Sequence, residues 1–248
     1  MSASRHSLKE APAQGGSSGG IVPNAGFTSN FLDQLSPTDR AGLEALGRVR
    51  QFASGERVFR AGEAGSHVYF LQTGKLRIVQ LSPLGRDVIL WFCLPGEICG
   101  LAEVARGGGR VVSAVACEPS GVIAVSQEQF RQFLLERPHV ALLSMQVLAS
   151  RLRVLGEMFV NLVSDDVNTR IAKLILRLSA RYGRREGSEV VLDTPLTHQE
   201  IADMVGTTRQ TATSVLSSLR RAGVLSIDNH RIRIGQEKFL ADIAGRRA

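Results

Sequence analysis

Leu196-Thr-His-Gln-Glu-Ile-Ala-Asp-Met-Val-Gly-Thr-Thr-Arg-Gln-Thr-Ala-Thr-Ser-Val-Leu-Ser-Ser-Leu219 reads as two short helices on either side of a glycine. Thr197 followed three residues later by Glu200 is a capping box, which opens a helix whose inner face is Ile201, Ala202 and Val205. Gly206 permits the tight turn that ends this helix, and Thr207 with Gln210 reads as a second cap. The next helix turns Ala212, Val215, Leu216 and Leu219 inward at i, i+3, i+4 and i+7. Two short helices joined at a glycine are the layout of a helix-turn-helix.

Burying that stripe leaves Thr207, Thr208, Arg209, Gln210, Thr211, Thr213 and Ser214 at the start and along the outer side of the second helix. From these positions a helix laid in a major groove reaches base edges. Arginine can bond guanine O6 and N7 with parallel hydrogen bonds, glutamine can do the same to adenine, and each such pair discriminates by roughly 1–3 kcal/mol. Threonine hydroxyls suit phosphate oxygens. Beyond Gly223, Val224-Leu-Ser-Ile-Asp-Asn-His-Arg-Ile-Arg-Ile234 predicts two short strands about Asp228-Asn229, a wing whose Arg231 and Arg233 point toward phosphates. The charge agrees with this placement. Of the formal +7, residues 167–248 carry 14 Lys and Arg against 8 Asp and Glu, so most of the excess sits in the last third. That is the footprint of a phosphate-backbone binder.

Upstream, Ser164-Asp165-Asp166 caps a further helix with Ile171, Leu174, Ile175 and Leu178 at helical spacing, and reads as a hinge. Before it runs a helical stretch from about Gln127 to Leu162, broken near Pro138. Met145, Leu148, Leu152, Leu155, Phe159 and Leu162 alternate by three and four, the seam of a two-chain coiled coil. A helix packed on its own β-domain would also show an apolar stripe. Between Arg50 and Ser126, short apolar runs broken by glycines predict an all-β sandwich or barrel. Ser36-Pro37 opens a short helix, and the Gly- and Ser-rich residues 1–26 predict a disordered tail. The fold class is therefore α+β, with a tail at 1–26, a β-domain at 27–130, a dimerisation helix at 131–164 and a winged helix-turn-helix at 165–248.

Three cysteines without CxxC spacing argue against a disulfide framework or structural zinc, and no metal site is expected. Neither an export signal nor an apolar run of membrane-spanning length appears, so a cytoplasmic protein without membrane contact is expected. The chain has no P-loop, nucleophile elbow or suggestive carboxylate pair, which argues against an enzyme.

The order of these parts, with Leu196-Thr-x-Gln-Glu-Ile-Ala-x-x-Val-Gly-x-x-Arg209, resembles the CRP/FNR family of bacterial transcription regulators over residues 27–240. The resemblance implies a jelly-roll-like, cyclic-nucleotide-binding-like β-roll as sensor, a homodimer on a pseudo-palindromic operator in double-stranded DNA, and contact with RNA polymerase in an activator. It assigns Arg209 to base reading. Gln210 stands where many members carry glutamate, and Ser214 where the cAMP-binding prototype has a second arginine. The resemblance also marks a ligand pocket at Gly100, Leu101, Arg110, Ser113 and Leu155. There the family's ribose-binding glutamate is replaced by Leu101, the arginine before Ser113 is displaced to Arg110, and Leu155 and Gly156 replace adenine-binding hydroxyls. Residues 1–92 lack the cysteine cluster of oxygen-sensing members, and no haem ligand pair stands out among His67, Cys99 and His139. The leading expectation is a DNA-binding regulator that needs neither cAMP nor another cofactor. A cyclic-nucleotide or other small-molecule gate, or a ligand-binding module, is the alternative.

Overall fold

The computed structural model describes residues 30–245 except 84 and 193, so the tail expected over residues 1–26 lies outside the described residues. A 3-10 turn (Leu32–Gln34) and α1 (Pro37–Leu46) precede strands β1 (Arg48–Phe52), β2 (Arg57–Phe59), β3 (His67–Thr73), β4 (Leu76–Leu81), β5 (Asp87–Cys93) and β6 (Ile98–Cys99). The one-and-a-half-turn α2 (Ala102–Arg106), then β7 (Ser113–Ala116) and β8 (Ser120–Ser126) complete the β-roll. These strands form two antiparallel sheets ordered β1-β8-β3-β6 and β2-β7-β4-β5.

Period-two alternation sorts the side chains of each strand between two cores. Tyr69, Leu71, Val122 and Ala124 face the second sheet and meet Leu76, Ile78, Cys93 and Ala114. Their neighbours Val68, Phe70, Ile123 and Val125 face outward onto Leu43, Phe130, Phe133, Val140 and Val147 of the helices. Much of the outer face of the second sheet does not meet water either. Val79, Ile89, Phe92 and Val115 share one core with the C-terminal residues Ile171, Ile175, Leu178 and Ile201. Ordinary alternation after Leu76 and Ile78 turns Val79 to that outer face, and a register shift that leaves Leu90 of β5 unpaired keeps Ile89 opposite it.

The long helical stretch is two helices, α3 (Gln127–Glu136) and α4 (Pro138–Ser164), because Pro138 supplies no N–H to α3 and starts α4 as its first residue. The two alternatives for its apolar residues are distributed over two faces of α4. Val140, Leu143, Val147 and Val154 are buried within the chain, whereas Met145, Leu152, Phe159 and Leu162 are 64%, 73%, 69% and 52% exposed. Leu148 packs at the edge of the β-roll core.

Asp166 caps α5 (Val167–Tyr182) by accepting from Thr169 N–H at 2.7 Å. A hairpin, β9 (Gly183–Glu186) and β10 (Glu189–Leu192), follows, then α6 (His198–Val205), α7 (Arg209–Arg221), β11 (Leu225–Asp228), β12 (Arg231–Ile234) and α8 (Glu237–Gly245). The wing is larger than the sequence suggested. Its two strands continue into β10 and β9 as a four-stranded sheet, β11-β12-β10-β9. Its turn falls at Asn229-His230, both with positive φ (47° and 63°), one residue later than the Asp228-Asn229 expected.

Buried ion pairs join the two halves. Lys75 Nζ donates to the Pro195 carbonyl at 2.8 Å, lies 3.3 Å from Glu200 Oε1 and sits over the Phe92 ring. Arg181 pairs with Glu97, both side chains 7% exposed. Arg170 donates to the carbonyls of Val205 and Asp165 at 3.0 and 2.8 Å, which ties the turn of the helix-turn-helix to the end of α4.

Candidate nucleic-acid interface and ligand pocket

The reading helix is built by local sequence. Thr197 accepts from Glu200 N–H at 3.1 Å while the Glu200 carboxylate accepts from Thr197 N–H at 2.8 Å, so two otherwise orphaned donors of α6 are satisfied reciprocally. The same Glu200 faces Lys75, so the cap of α6 is also a contact with the β-roll. Gly206 ends α6 in the left-handed conformation (φ 70°, ψ 51°), which favours glycine. Thr207 spends its N–H on the Ala202 carbonyl at 3.0 Å. The cap of α7 is therefore Thr208, whose hydroxyl accepts from Thr211 N–H at 3.2 Å, and not Thr207 with Gln210 as the sequence suggested.

Ala212, Leu216 and Leu219 are buried and Val215 half-buried, which turns Thr208, Arg209, Gln210 and Ser214 to solvent. The Arg209 side chain makes no ion pair or hydrogen bond among the described residues, so its five donors are free for a ligand. Thr213 and Thr211 are less available than the sequence implied. Thr213 donates to the Arg209 carbonyl and meets His198 Nδ1 at 2.9 Å, and Thr211 contacts the Thr208 hydroxyl. Burial first, then the neighbouring Arg209 and His230 charges, hold the His198 imidazole below its ordinary range, so a neutral ring lies beside the reading face. Sequence reasoning missed Ser217, Arg220 and Arg221, which are exposed and extend the face. The i, i+3, i+7 spacing from Ser214 would have found Ser217 and Arg221.

In the wing, Arg231 is exposed opposite Asp228. Arg233 differs from its expected free, phosphate-facing state: it donates to Glu186 at 2.7 Å and lies 3.8 Å from Glu189. The acids of the β9–β10 hairpin, invisible from the wing's own sequence, already neutralise it.

The expected ligand pocket is rearranged more deeply. Arg110 precedes β7 and is not on it. Its guanidinium is 1% exposed, pairs with Glu103 of α2, and donates to the carbonyls of Gly100 and His67 above the Phe59 ring. The Ser113 hydroxyl accepts from Ala61 N–H at 2.9 Å. Gly100 is left-handed (φ 78°), and a side chain there would strike Arg110. Leu101 is buried in the helix-facing core. Leu155 is not with them: it lines a cavity beside α5 and α6. The two polar side chains of the expected pocket, those of Arg110 and Ser113, are thus both bonded within the chain.

Among the described residues, no helix is long and apolar enough to cross a membrane, and no three His, Cys, Asp or Glu side chains form a metal cluster. Cys93 and Cys99 are buried and Cys117 is half-buried, with burial pushing its thiol up to about 11.

Comparison with known proteins agrees with this architecture. Residues 49–137 match the family model of the cyclic nucleotide-binding domain, and residues 169–243 match that of the Crp-like helix-turn-helix domain. The chain is 28% identical over 234 residues to a CRP-like cAMP-activated global transcriptional regulator of Mycobacterium tuberculosis, covering 94% of this chain and 98% of that protein. It is 28% identical over 189 residues to a global nitrogen regulator of Synechococcus elongatus, covering 75% and 85%. Both relatives are described as global regulators. Among solved structures, a CooA variant from Carboxydothermus hydrogenoformans superposes with a TM-score of 0.75 at 20% identity, covering 88% of this chain and 97% of that one. FixK2 from Bradyrhizobium japonicum gives 0.73 at 23%, covering 82% and 99%. At these identities the two structures speak for the fold alone. The paired domain matches, in this order and joined by α4, place the chain in the CRP/FNR family of transcription regulators.

Proposed function

We propose that this regulator binds a pseudo-palindromic operator as a homodimer through α7 and does so without cAMP. The observation that carries the DNA half is the solvent-facing start of α7, where Arg209 and Gln210 stand on a capped helix terminus and the Arg209 guanidinium has no partner among the described residues. Pairing through the exposed Met145, Leu152, Phe159 and Leu162 seam, with Leu148 and Leu155 beside it, presents two such helices to successive major grooves. The observation behind independence from cAMP is the Arg110–Glu103 pair: a phosphate entering there must displace a buried carboxylate from its guanidinium. If the regulator activates, its further partner is RNA polymerase. Its place of action is the cytoplasm, where the operator lies.

The M. tuberculosis relative, described as cAMP-activated, supports the second reading of a cyclic-nucleotide gate. One experiment separates the two. In a competition gel shift with a selected operator, Arg209→Ala is expected to lose discrimination against a scrambled duplex while keeping salt-sensitive non-specific binding. Wild-type affinity is expected to be the same with and without cAMP. Unchanged discrimination in Arg209→Ala would refute the base-reading role, and a cAMP-dependent gain in affinity would establish the gate.

A further inference from the structure

Between β5, α4, α5 and the α6–α7 turn lies a cavity of about 200 Å3. Buried Leu174, Met204 and Val205 form its inner wall, and Leu90 and Leu155 flank it. Its rim is the exposed Val88, Phe159 and Leu162. Four charged side chains also line it: Arg170, Lys173, Arg177 and Asp203. Three are engaged. Arg170 holds two carbonyls, Lys173 donates to Asn161 and Asp165 at 3.0 and 2.6 Å, and Asp203 accepts from Gln199 at 2.7 Å. Arg177 is not. Among the described residues it has no hydrogen bond and no carboxylate within 4 Å, only the more distant charge of Glu157, and burial lowers its pKa.

A half-buried guanidinium with all its donors unspent, set in the wall of a largely apolar cavity, is matched by a planar anion that accepts two parallel N–H bonds. Apart from the engaged Asn161, Arg170, Lys173 and Asp203, the rest of the lining is apolar. The volume falls below the range of about 300–1,000 Å3 usual for drug-sized ligands, so the occupant is small. We propose that this cavity is a binding site for a small organic acid, its carboxylate on Arg177 and its apolar body against Leu90, Leu155, Leu174 and Met204.

The place matters as much as the chemistry. One side of the cavity is the dimer seam, at Leu155, Phe159 and Leu162, and the other is the Val205-Gly206 turn that leads into α7. Leu162 Cδ1 already comes within 3.2 Å of where a side chain on Gly206 would begin. An occupant therefore touches the pairing helix and the reading unit together, and biases their relative position by whatever its affinity differs between arrangements. This regulatory consequence rests on the operator-binding reading. The binding itself does not.

The test uses the intact protein and titration calorimetry with butyrate, hexanoate, octanoate and benzoate, each against its primary amide as neutral isostere. At least one acid is expected to bind once per protomer and at least about tenfold more tightly than its amide, the scale of one charge-assisted contact. Arg177→Met is expected to abolish that preference while leaving the amide unchanged. Leu90→Trp, which fills the cavity from its half-buried side, is expected to weaken acid and amide alike. The proposal is overturned if no acid outbinds its amide, as when a partner helix fills the cavity, or if Arg177→Met keeps the preference. Binding unimpaired by Leu90→Trp overturns it as well. Operator affinity measured without any acid keeps the two readings apart, because its loss counts against the DNA-binding assignment and leaves the calorimetry untouched.

Discussion

His198 shows how one side chain can carry a solvent-dependent property into the reading unit. Its native pKa lies below the ordinary 6.5 because burial and the Arg209 charge disfavour the imidazolium. The unfolded chain therefore binds a proton more readily than the native one, so this site's stability is complete above pH 6.5 and is lost as pH falls below it. Thermal melts from pH 7.5 to 5.5 should show a smaller decline for His198→Gln than for wild type. An identical decline would assign the effect to other groups, of which the depressed His67 is the first candidate. At this scale the sequence revealed types and spacings but not partners. Arg209 and Gln210 were legible because a helical stripe defines its own opposite face. The use of Arg110 was not, because its acid lies seven residues back across the left-handed Gly107 and Gly108, where no period relates the two. Arg233 was misjudged for the same reason, since its acids belong to another hairpin.

Secondary elements were more readable, because caps and turns are local physics. The capping box at Thr197, the left-handed Gly206, the Ser36 and Asp166 caps and the proline break between α3 and α4 all occur where residue chemistry put them. The one-residue slip at α7 came from two adjacent threonines with equal capping chemistry. The turn decided between them by recruiting Thr207 N–H to finish α6. Thr208→Ala should accordingly destabilise the domain by about 1 kcal/mol, the usual loss for such a cap, whereas Thr207→Ala, which keeps the backbone bond, should cost clearly less. Urea denaturation of the two variants side by side checks this, and equal losses would contradict the assignment. The β9–β10 hairpin went unread because its outer strand, Gly183–Glu186, is polar and carries no alternation to notice.

For the molecule as a whole, the exposed face of α4 is the principal unsatisfied surface. Phe159→Glu places a charge where the seam would bury it, and should convert the dimer to monomer in sedimentation at micromolar concentration while leaving the thermal melt of the β-roll largely in place. Operator affinity should fall with dimerisation, since each protomer then offers only one reading helix. A dimer that survives the substitution would move the interface elsewhere. The exposed apolar stripe of α4 was visible in the heptads, but the joining of the halves was not. Lys75 and Pro195 lie 120 residues apart, and nothing in either segment announces the other.

That joining has a practical corollary for anyone who would study the two halves separately. Val79, Ile89, Phe92 and Val115 are strand residues of one half, yet they are kept dry by helices of the other. Severing the chain at the hinge would strip the roof from an apolar sheet, with each large side chain forfeiting about 1.5–3 kcal/mol of burial. The amino-terminal fragment would then be sticky and prone to self-association, and its solution behaviour would be a poor guide to that of the undivided protein.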